Sequence, residues 1–437
     1  MSQIAISNID HNKDILIFTI GGNSEYGFDK SIINAIRRTL INDIPTVAFE
    51  TDDTFQYKDI NMITNHTSLH NEMILQRISL IPLFLNPDQF MKKYLFECKE
   101  KHATNNPFQF ITSNNFEIYP LKEHIQERIM NLNDESKTSD KEIESSLLTE
   151  MLQENNPDNY QLDNPLNQKK KDEILRPFEF RKTKNYCLLT ELKNTNSETV
   201  NQELHFYGSP SVKTGKVHAR YQSVSCATYT FNKDEELIQN ILLDKLKTGG
   251  IDMDDKVLVD DFTTKFMLRE SERYFKRDNF NEPNEYIFTI KSLHYLSSSQ
   301  LFLKAITILI ENCDLLKLSL FHLLQEKDTI ISVEQKDEFT FHYLINNYCH
   351  SIGNMLQSHI VRRTIDDKCI IQLCGYNKPH PLEDSIKFYC SLNPKHKVCK
   401  MNETQKFQKI TSFLMEQLDE VMGELKEILK TATKSFN

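Results

Sequence analysis

The sequence of 437 residues predicts an α+β fold in which one unit of strands and helices occurs twice. Residues 31–50 and 351–364 each begin with a small polar residue and are each predicted to form a helix with an Asn near its start. Apolar residues then recur at helical spacing in both segments. They are Ile33, Ile36, Leu40 and Ile44 in the first, and Ile352, Met355, Leu356, His359 and Ile360 in the second. Because repeated units often bury their apolar faces on each other, we expect an intramolecular pseudo-dimer.

The first 215 residues contain one helix of this unit and a long strand-rich region. We predict a strand at 13–20, a helix from about 30 to 44, a strand at 46–50, a helix at 69–78, and strands at 94–98, 108–112, 116–119, 186–191 and 203–207. The polar tract 131–171 has too little apolar surface for a core of its own, which favours a loop, a mobile helix or disorder. The strand-rich region is therefore expected to be an inserted, mostly-β domain.

The remaining residues repeat the order of strand, helix, strands and long helix. We predict strands at 217–231 and 285–292, a helix at 299–325, a connector at 326–338, a strand at 338–345, a helix at 350–363, strands at 369–376 and 385–392, and a helix at 403–433. Each long helix carries one apolar stripe: Phe302, Ile306, Leu309, Cys313, Leu316 and Leu320 in the first, and Phe407, Ile410, Leu414, Leu418, Val421, Leu425 and Ile428 in the second. Charged residues opposite the first stripe indicate a core helix and not a membrane span.

Composition narrows the class of protein. The 62 acidic and 52 basic residues give a net charge of -10, which argues against an extended nucleic-acid surface but allows a local basic patch. The nine Cys are scattered, which is typical of a reducing compartment. The first 14 residues have no apolar signal core, so we expect a cytoplasmic protein.

Three segments of the first half resemble the third subunit of eukaryotic RNA polymerase II, the counterpart of the bacterial polymerase alpha subunit. They are NAIRRTL with DIPTVA at 34–48, TSLHNEMILQRISLIPL at 67–83, and GKVHARY at 215–221. HSIGNML at 350–356 and GYNKPHPL at 375–382 resemble the eleventh subunit of the same enzyme. Cellular versions are generally separate chains, so this chain resembles the fused form used by large DNA viruses.

The resemblance implies two alpha-like dimerisation units, each with an antiparallel sheet and two helices. It assigns residues 1–60 and 216–326 to the third-subunit-like unit, 61–215 to the insert domain, and 327–437 to the eleventh-subunit-like unit. The residues expected between the two units are Ile33, Ile36, Leu40, Ile352, Met355, Leu356, Ile360, Leu418 and Leu425.

The function implied is that of a non-catalytic scaffold. The second-largest polymerase subunit would dock mainly on the first half and the largest mainly on the second, with small subunits of the tenth and twelfth type at the edge. The docking residues expected are Arg37, Arg38, Glu72, Arg77, His218 and Arg220. Alternatively, the Arg pair is solvated surface, and Glu72 forms a structural ion pair with Arg77. No sequence-specific nucleic-acid contact and no membrane are expected; a viral form would act in the host cytoplasm, in the viral factory, and in the virion.

Metal and catalytic sites have weak support in the sequence, and no cofactor is expected. His66, His70 and Glu72 lack a further ligand, and only Cys98 and Cys187 remain where cellular third subunits often carry four Cys. A looser set is Cys390, His396 and Cys399, with Cys369 and Cys374 nearby; Cys in strands also serve as small apolar residues. A metal-dependent enzyme and an assembly adaptor outside transcription remain the alternative functions.

Overall fold

The computed structural model describes residues 4–12, 14–22, 28–51, 59–89, 93–102, 107–125, 156–194, 201–251, 255–327, 330–364 and 369–436. The helices are α1 Lys30–Asn42, α2 Asn71–Ser79, α3 Gln168–Ile174, α4 Glu235–Thr248, α5 Lys256–Arg269, α6 Ser298–Leu324, α7 His350–Thr364 and α8 Glu403–Phe436. The strands are β1 Ala5–Asn12, β2 Ile15–Gly21, β3 Pro45–Ala48, β4 Ile60–Asn65, β5 Tyr94–Lys101, β6 Phe108–Thr112, β7 Glu117–Pro120, β8 Phe178–Phe180, β9 Thr183–Asn185, β10 Leu188–Lys193, β11 Glu203–Gly208, β12 Ser211–Thr214, β13 Val224–Phe231, β14 Glu285–Ser292, β15 Ile331–Gln335, β16 Thr340–Asn346, β17 Ile371–Asn377 and β18 Ser385–Leu392.

Contacts divide the chain into two compact units. Unit 1 comprises Met1–Asp43, Val224–Ser292 and Ser297–Asn437, and unit 2 comprises Ile44–Ser223 and Leu293–Leu296. Each unit has its own antiparallel sheets, so the α+β class with several antiparallel sheets is confirmed.

Unit 1 contains two four-stranded antiparallel sheets with the same strand order. The first is ordered β1-β2-β14-β13 and the second β15-β16-β18-β17. In both, the first two strands form a hairpin, and the last strand in sequence lies between the second and the third. Alternate residues of the central strands point to the helices, as the twofold period of a strand requires. The buried apolar ones are Leu16, Phe18, Ile20, Tyr286, Phe288 and Ile290 in the first sheet, and Phe341, Tyr343, Ile345, Ile386, Phe388, Cys390 and Leu392 in the second.

Four helices cover these sheets. Helix α1 packs against α6 and α7, and α8 packs against the same two helices. Each long helix also contacts an edge strand, α6 that of the second sheet (β15) and α8 that of the first (β1). Side-chain caps define two of the helix starts: Asp29 accepts a hydrogen bond from the backbone N–H of Ser31 at 2.8 Å, and Ser297 forms a capping box with Gln300.

Unit 2 is built around the four-stranded sheet β4-β11-β5-β7, with the strand pairs β10-β6, β12-β3 and β8-β9. Its core packs Phe96 edge-on against Phe49 and Phe116. Gly208 is required where β11 meets β4, because a Cβ there would lie 2.1 Å from the carbonyl oxygen of Asp59.

Several predicted elements need correction. The connector expected at 326–338 contains strand β15, because Ile331 is buried at the start of an alternating edge strand. Strand β1 and helices α4 and α5 were not predicted, since they bury few apolar residues and so give weak periodic signals. Helix α1 ends at Asn42, so Ile44 does not belong to its apolar face.

The polar tract 131–171 lies outside the described residues as far as residue 155. From residue 156 the chain has a defined path, with a 3-10 turn at Pro157–Asn159, a buried Tyr160 and then the start of α3. In the parts of the chain that the structure describes, no helix has the length and apolar character needed to span a bilayer.

Candidate assembly interface

The apolar residues expected at the interface lie among the helices of unit 1. All nine are at most 4% exposed: Ile33, Ile36, Leu40, Ile352, Met355, Leu356, Ile360, Leu418 and Leu425. They come from α1, α7 and α8, and α7 packs against both of the other two helices. Burial of this kind suits an interface between repeated units and also an ordinary core, so their interface role stays a prediction.

The end of the chain contributes to the core of the first sheet. Phe436, in the last turn of α8, has its ring centroid 5.3 Å from that of Phe18 on β2 and 5.8 Å from that of Phe302 on α6. Edge-on aromatic contacts at these distances are favourable beyond the area they bury. Helix α8 therefore joins the second sheet, which precedes it in the chain, to the core of the first.

Arg362 on α7 lies beside two carboxylates from segments that precede α7 in the chain. Its guanidinium donates to the fully buried carboxylate of Asp278 and lies 3.8 Å from that of Asp29, the residue that caps α1. A buried carboxylate needs such a partner, because removal of the cation would leave an uncompensated charge. The polar contact therefore fixes how α7 lies against the start of α1.

The predicted docking pair on α1 makes two different contacts. Arg37 donates from Nε and Nη2 to the side-chain oxygen of Asn34 at 3.1 and 3.0 Å. Arg38 donates from Nε to Oγ of Ser351 at 3.1 Å, so it contacts the first turn of α7. Arg38 also lies near His350: burial of that imidazole, together with the positive charges of Arg38 and Lys378, lowers the pKa of His350. Both Arg residues are half-buried, and the guanidinium of Arg38 already has a hydrogen-bond partner within the chain.

His359 connects α7 to α8. The buried imidazole has Nε2 3.1 Å from a carboxylate oxygen of Glu420 and Nδ1 3.6 Å from one of Glu424. The helical stripe predicted this residue to be buried, but the sequence did not indicate its carboxylate partners.

The other predicted docking residues lie in unit 2. Arg77 donates from Nη1 to the carbonyl oxygen of Leu189 at 2.7 Å, and among the described side chains it forms no ion pair with Glu72. Nδ1 of His218 accepts from the backbone N–H and from Nε of Arg220, both at 3.1 Å. The structure therefore brings His218 and Arg220 together and leaves Glu72 exposed on α2.

The residues weighed as metal ligands have other roles in the fold. Cys390 is fully buried on β18, and burial raises its pKa well above the usual value. Nδ1 of His396 accepts from the backbone N–H of Val398 at 3.3 Å, and the thiol of Cys399 donates to the carbonyl oxygen of Asn393 at 2.9 Å. Within the described residues, no three His, Cys, Asp or Glu side chains are grouped so that they could hold a metal ion.

Sequence reasoning did not single out Arg362 or Phe436. The sequence did contain one signal for Arg362, because the tetrapeptide VRRT at 361–364 repeats the IRRT at 36–39. No local pattern marks Phe436, since a residue near the end of the chain has too few neighbours on one side to form a periodic pattern.

Comparison with known proteins agrees with this architecture. A family model, the RNA polymerase Rpb3/Rpb11 dimerisation domain, matches residues 24–313. No curated protein matches the chain. The match includes α1, β13, β14 and the first part of α6, which together form much of the first sheet and its helices. Since it covers well over half of the sequence, the chain belongs to the Rpb3/Rpb11 dimerisation-domain family of RNA polymerase assembly subunits.

Proposed function

We propose that this protein is a non-catalytic scaffold on which the large subunits of a multisubunit, DNA-directed RNA polymerase assemble. The observation that carries the proposal is the pair of sheets in unit 1. They share one strand order, and their helices pack into a single cluster. The family match supplies the polymerase context.

In this proposal the two sheets and their helices are the halves of an intramolecular pseudo-dimer. Two reciprocal contacts support it: α6 reaches the edge strand β15, and α8 reaches the edge strand β1. Such exchange is expected when two similar units share one core. The ion pair of Arg362 with Asp278 adds a polar contact between the halves.

The domain assignment follows from the same view. Residues 1–60 and 216–326 would form the third-subunit-like half, 61–215 the insert domain, and 327–437 the eleventh-subunit-like half. Joining the halves in one chain keeps their ratio at one to one and gives an effective concentration on the order of mM. We assign the chain to the fused type used by large DNA viruses, acting in the host cytoplasm.

The two sides of the platform differ, so they can bind different partners. The second-largest subunit would dock on the first half, through Arg37, Glu72, Arg77 and the His218–Arg220 pair. Arg38 would also take part, while its Nε donates a hydrogen bond to Ser351. The largest subunit would dock on the second half, and small subunits of the tenth and twelfth type at the edge. Arg side chains suit such contacts because they can bind carboxylates with two hydrogen bonds.

The test is co-expression of the full chain with the two largest polymerase subunits, followed by affinity purification and mass spectrometry. A stoichiometric complex is expected. A chain that binds neither large subunit would contradict the proposal and favour an adaptor outside transcription. Elemental analysis of the same sample addresses the other alternative, because one equivalent of zinc or iron would favour a metal-dependent enzyme.

A further inference from the structure

Strands β8 and β9 form a two-stranded ribbon that pairs with no other strand among the described residues. Their register sets Phe178 opposite Asn185 and Phe180 opposite Thr183, so Arg181 and Lys182 form a two-residue turn. Every residue of both strands is exposed to solvent. Because an isolated two-stranded ribbon is marginally stable in water, a ribbon that no other described element covers suggests a surface that is completed by something else.

The ribbon carries apolar side chains on one face. Phe178 and Phe180 are two positions apart, so they point the same way, and they are 70% and 54% exposed. The guanidinium of Arg181 lies 5.1 Å from the ring centroid of Phe180. Two neighbouring Phe side chains with an adjacent cation are a combination enriched at protein interfaces.

The turn is held in an uncommon backbone conformation. Arg181 and Lys182 have φ angles of 48° and 69°, in the left-handed region that Gly, Asn and Asp occupy most readily. A two-residue hairpin turn requires this conformation at both central positions, and here both are occupied by exposed, long cationic side chains.

The cations at the tip are free to meet an outside partner. Neither Arg181 nor Lys182 is paired with a carboxylate of the described residues, whereas Lys184 pairs with Asp172 at 2.7 Å. Arg176, before the ribbon, instead stacks on the ring of Phe84 at 4.1 Å. The tip therefore presents positive charge beside an apolar face that the described part of the chain leaves exposed.

We infer that this ribbon docks into an apolar pocket edged by carboxylates on another protein subunit of the polymerase assembly; this rests on the proposed function. A protein is favoured over a nucleic-acid strand because strong binding to a polyanion requires many phosphate contacts. Two unpaired cations are few for that purpose, and Glu179 lies between the two Phe. Aromatic side chains entering a pocket, with charges at its edge, are the usual centre of a protein interface.

The test uses the full chain in the assembly purified with its large and small subunits. A photoreactive benzoylphenylalanine replaces Phe180, and the crosslinked peptides are identified by mass spectrometry. Two further variants, F178S/F180S and R181E/K182E, are compared for retention of the crosslinked subunit in a salt wash. The matched control is K99E/K101E, which reverses two exposed cations on β5 of the same unit.

A crosslink to a peptide of another subunit that contains Asp or Glu is expected. Retention should fall about tenfold in both ribbon variants and stay at the wild-type level in the control. An intact assembly with no crosslink, a crosslink to nucleic acid, or equal loss in the two charge reversals would overturn the ribbon assignment and leave the proposed function standing. Failure of the wild-type chain to bind the large subunits would instead refute the proposed function, and this inference with it.

Discussion

Replacement of Leu356 by Ala tests whether α7 is packed in the helix cluster of unit 1. Leu356 is 3% exposed on α7, the helix that packs against both α1 and α8. The change removes three carbon atoms, which at about 0.8 kcal/mol each cost about 2.4 kcal/mol in lost burial. The cavity left behind raises the cost, so we expect a loss of about 2–5 kcal/mol in the free energy of unfolding.

The assay is urea denaturation followed by far-ultraviolet circular dichroism and Tyr fluorescence, because the chain has no Trp. With a slope of about 3 kcal/mol per M, a cost of about 3 kcal/mol lowers the midpoint of the unit 1 transition by about 1 M. Leu382→Ala is the matched control, since Leu382 is 89% exposed in a turn and should change stability by less than about 0.5 kcal/mol. Equal midpoints for the two variants would refute the proposed packing of α7.

Three further predictions concern single positions in unit 1. Gly423→Ala on α8 should stabilise the protein by about 0.5–1 kcal/mol, because no atom lies within 4 Å of the added Cβ. Gly353→Ala on α7 should instead destabilise it by about 1–3 kcal/mol, since its Cβ would lie 2.8 Å from the half-buried ring of Tyr376. Thermal melts of the two variants should shift in opposite directions, and a stabilised Gly353→Ala would contradict the close approach. Arg38→Ala should leave the fold intact and weaken association with the second-largest subunit, measured by co-purification. The control is Lys387→Ala, which removes a partly exposed cation on β18; undiminished binding of the Arg38→Ala variant would remove Arg38 from the docking surface. The pKa of His350 is lowered from 6.5 in the folded chain, so the unfolded chain binds more protons below that pH, and stability should decline as pH falls from 7 towards 5. Urea midpoints measured over this range should fall less in His350→Gln, and an identical pH profile would show that His350 does not contribute.

The sequence by itself determined most of the regular elements of unit 1. Helical spacing predicted the buried stripes of α1, α6, α7 and α8, and alternation predicted the central strands, because both patterns are local and repeat within a few residues. The order of these elements, together with the motifs at 34–48 and 350–356, also indicated the polymerase family before any contact was known. Strand β15 was missed because an edge strand buries few side chains, which weakens the alternation.

Only the tertiary structure decided which of these elements meet. Nothing local to Arg362 predicts that it pairs with Asp278, 84 positions earlier in the chain, or that Phe436 reaches the ring of Phe18. Gly353 shows the same limit, because its lack of a side chain matters only where the ring of Tyr376 approaches α7. Periodicity indicates which face of an element is buried. The partner on that face is an element distant in sequence, and it is fixed only when the two sheets and their helices pack together.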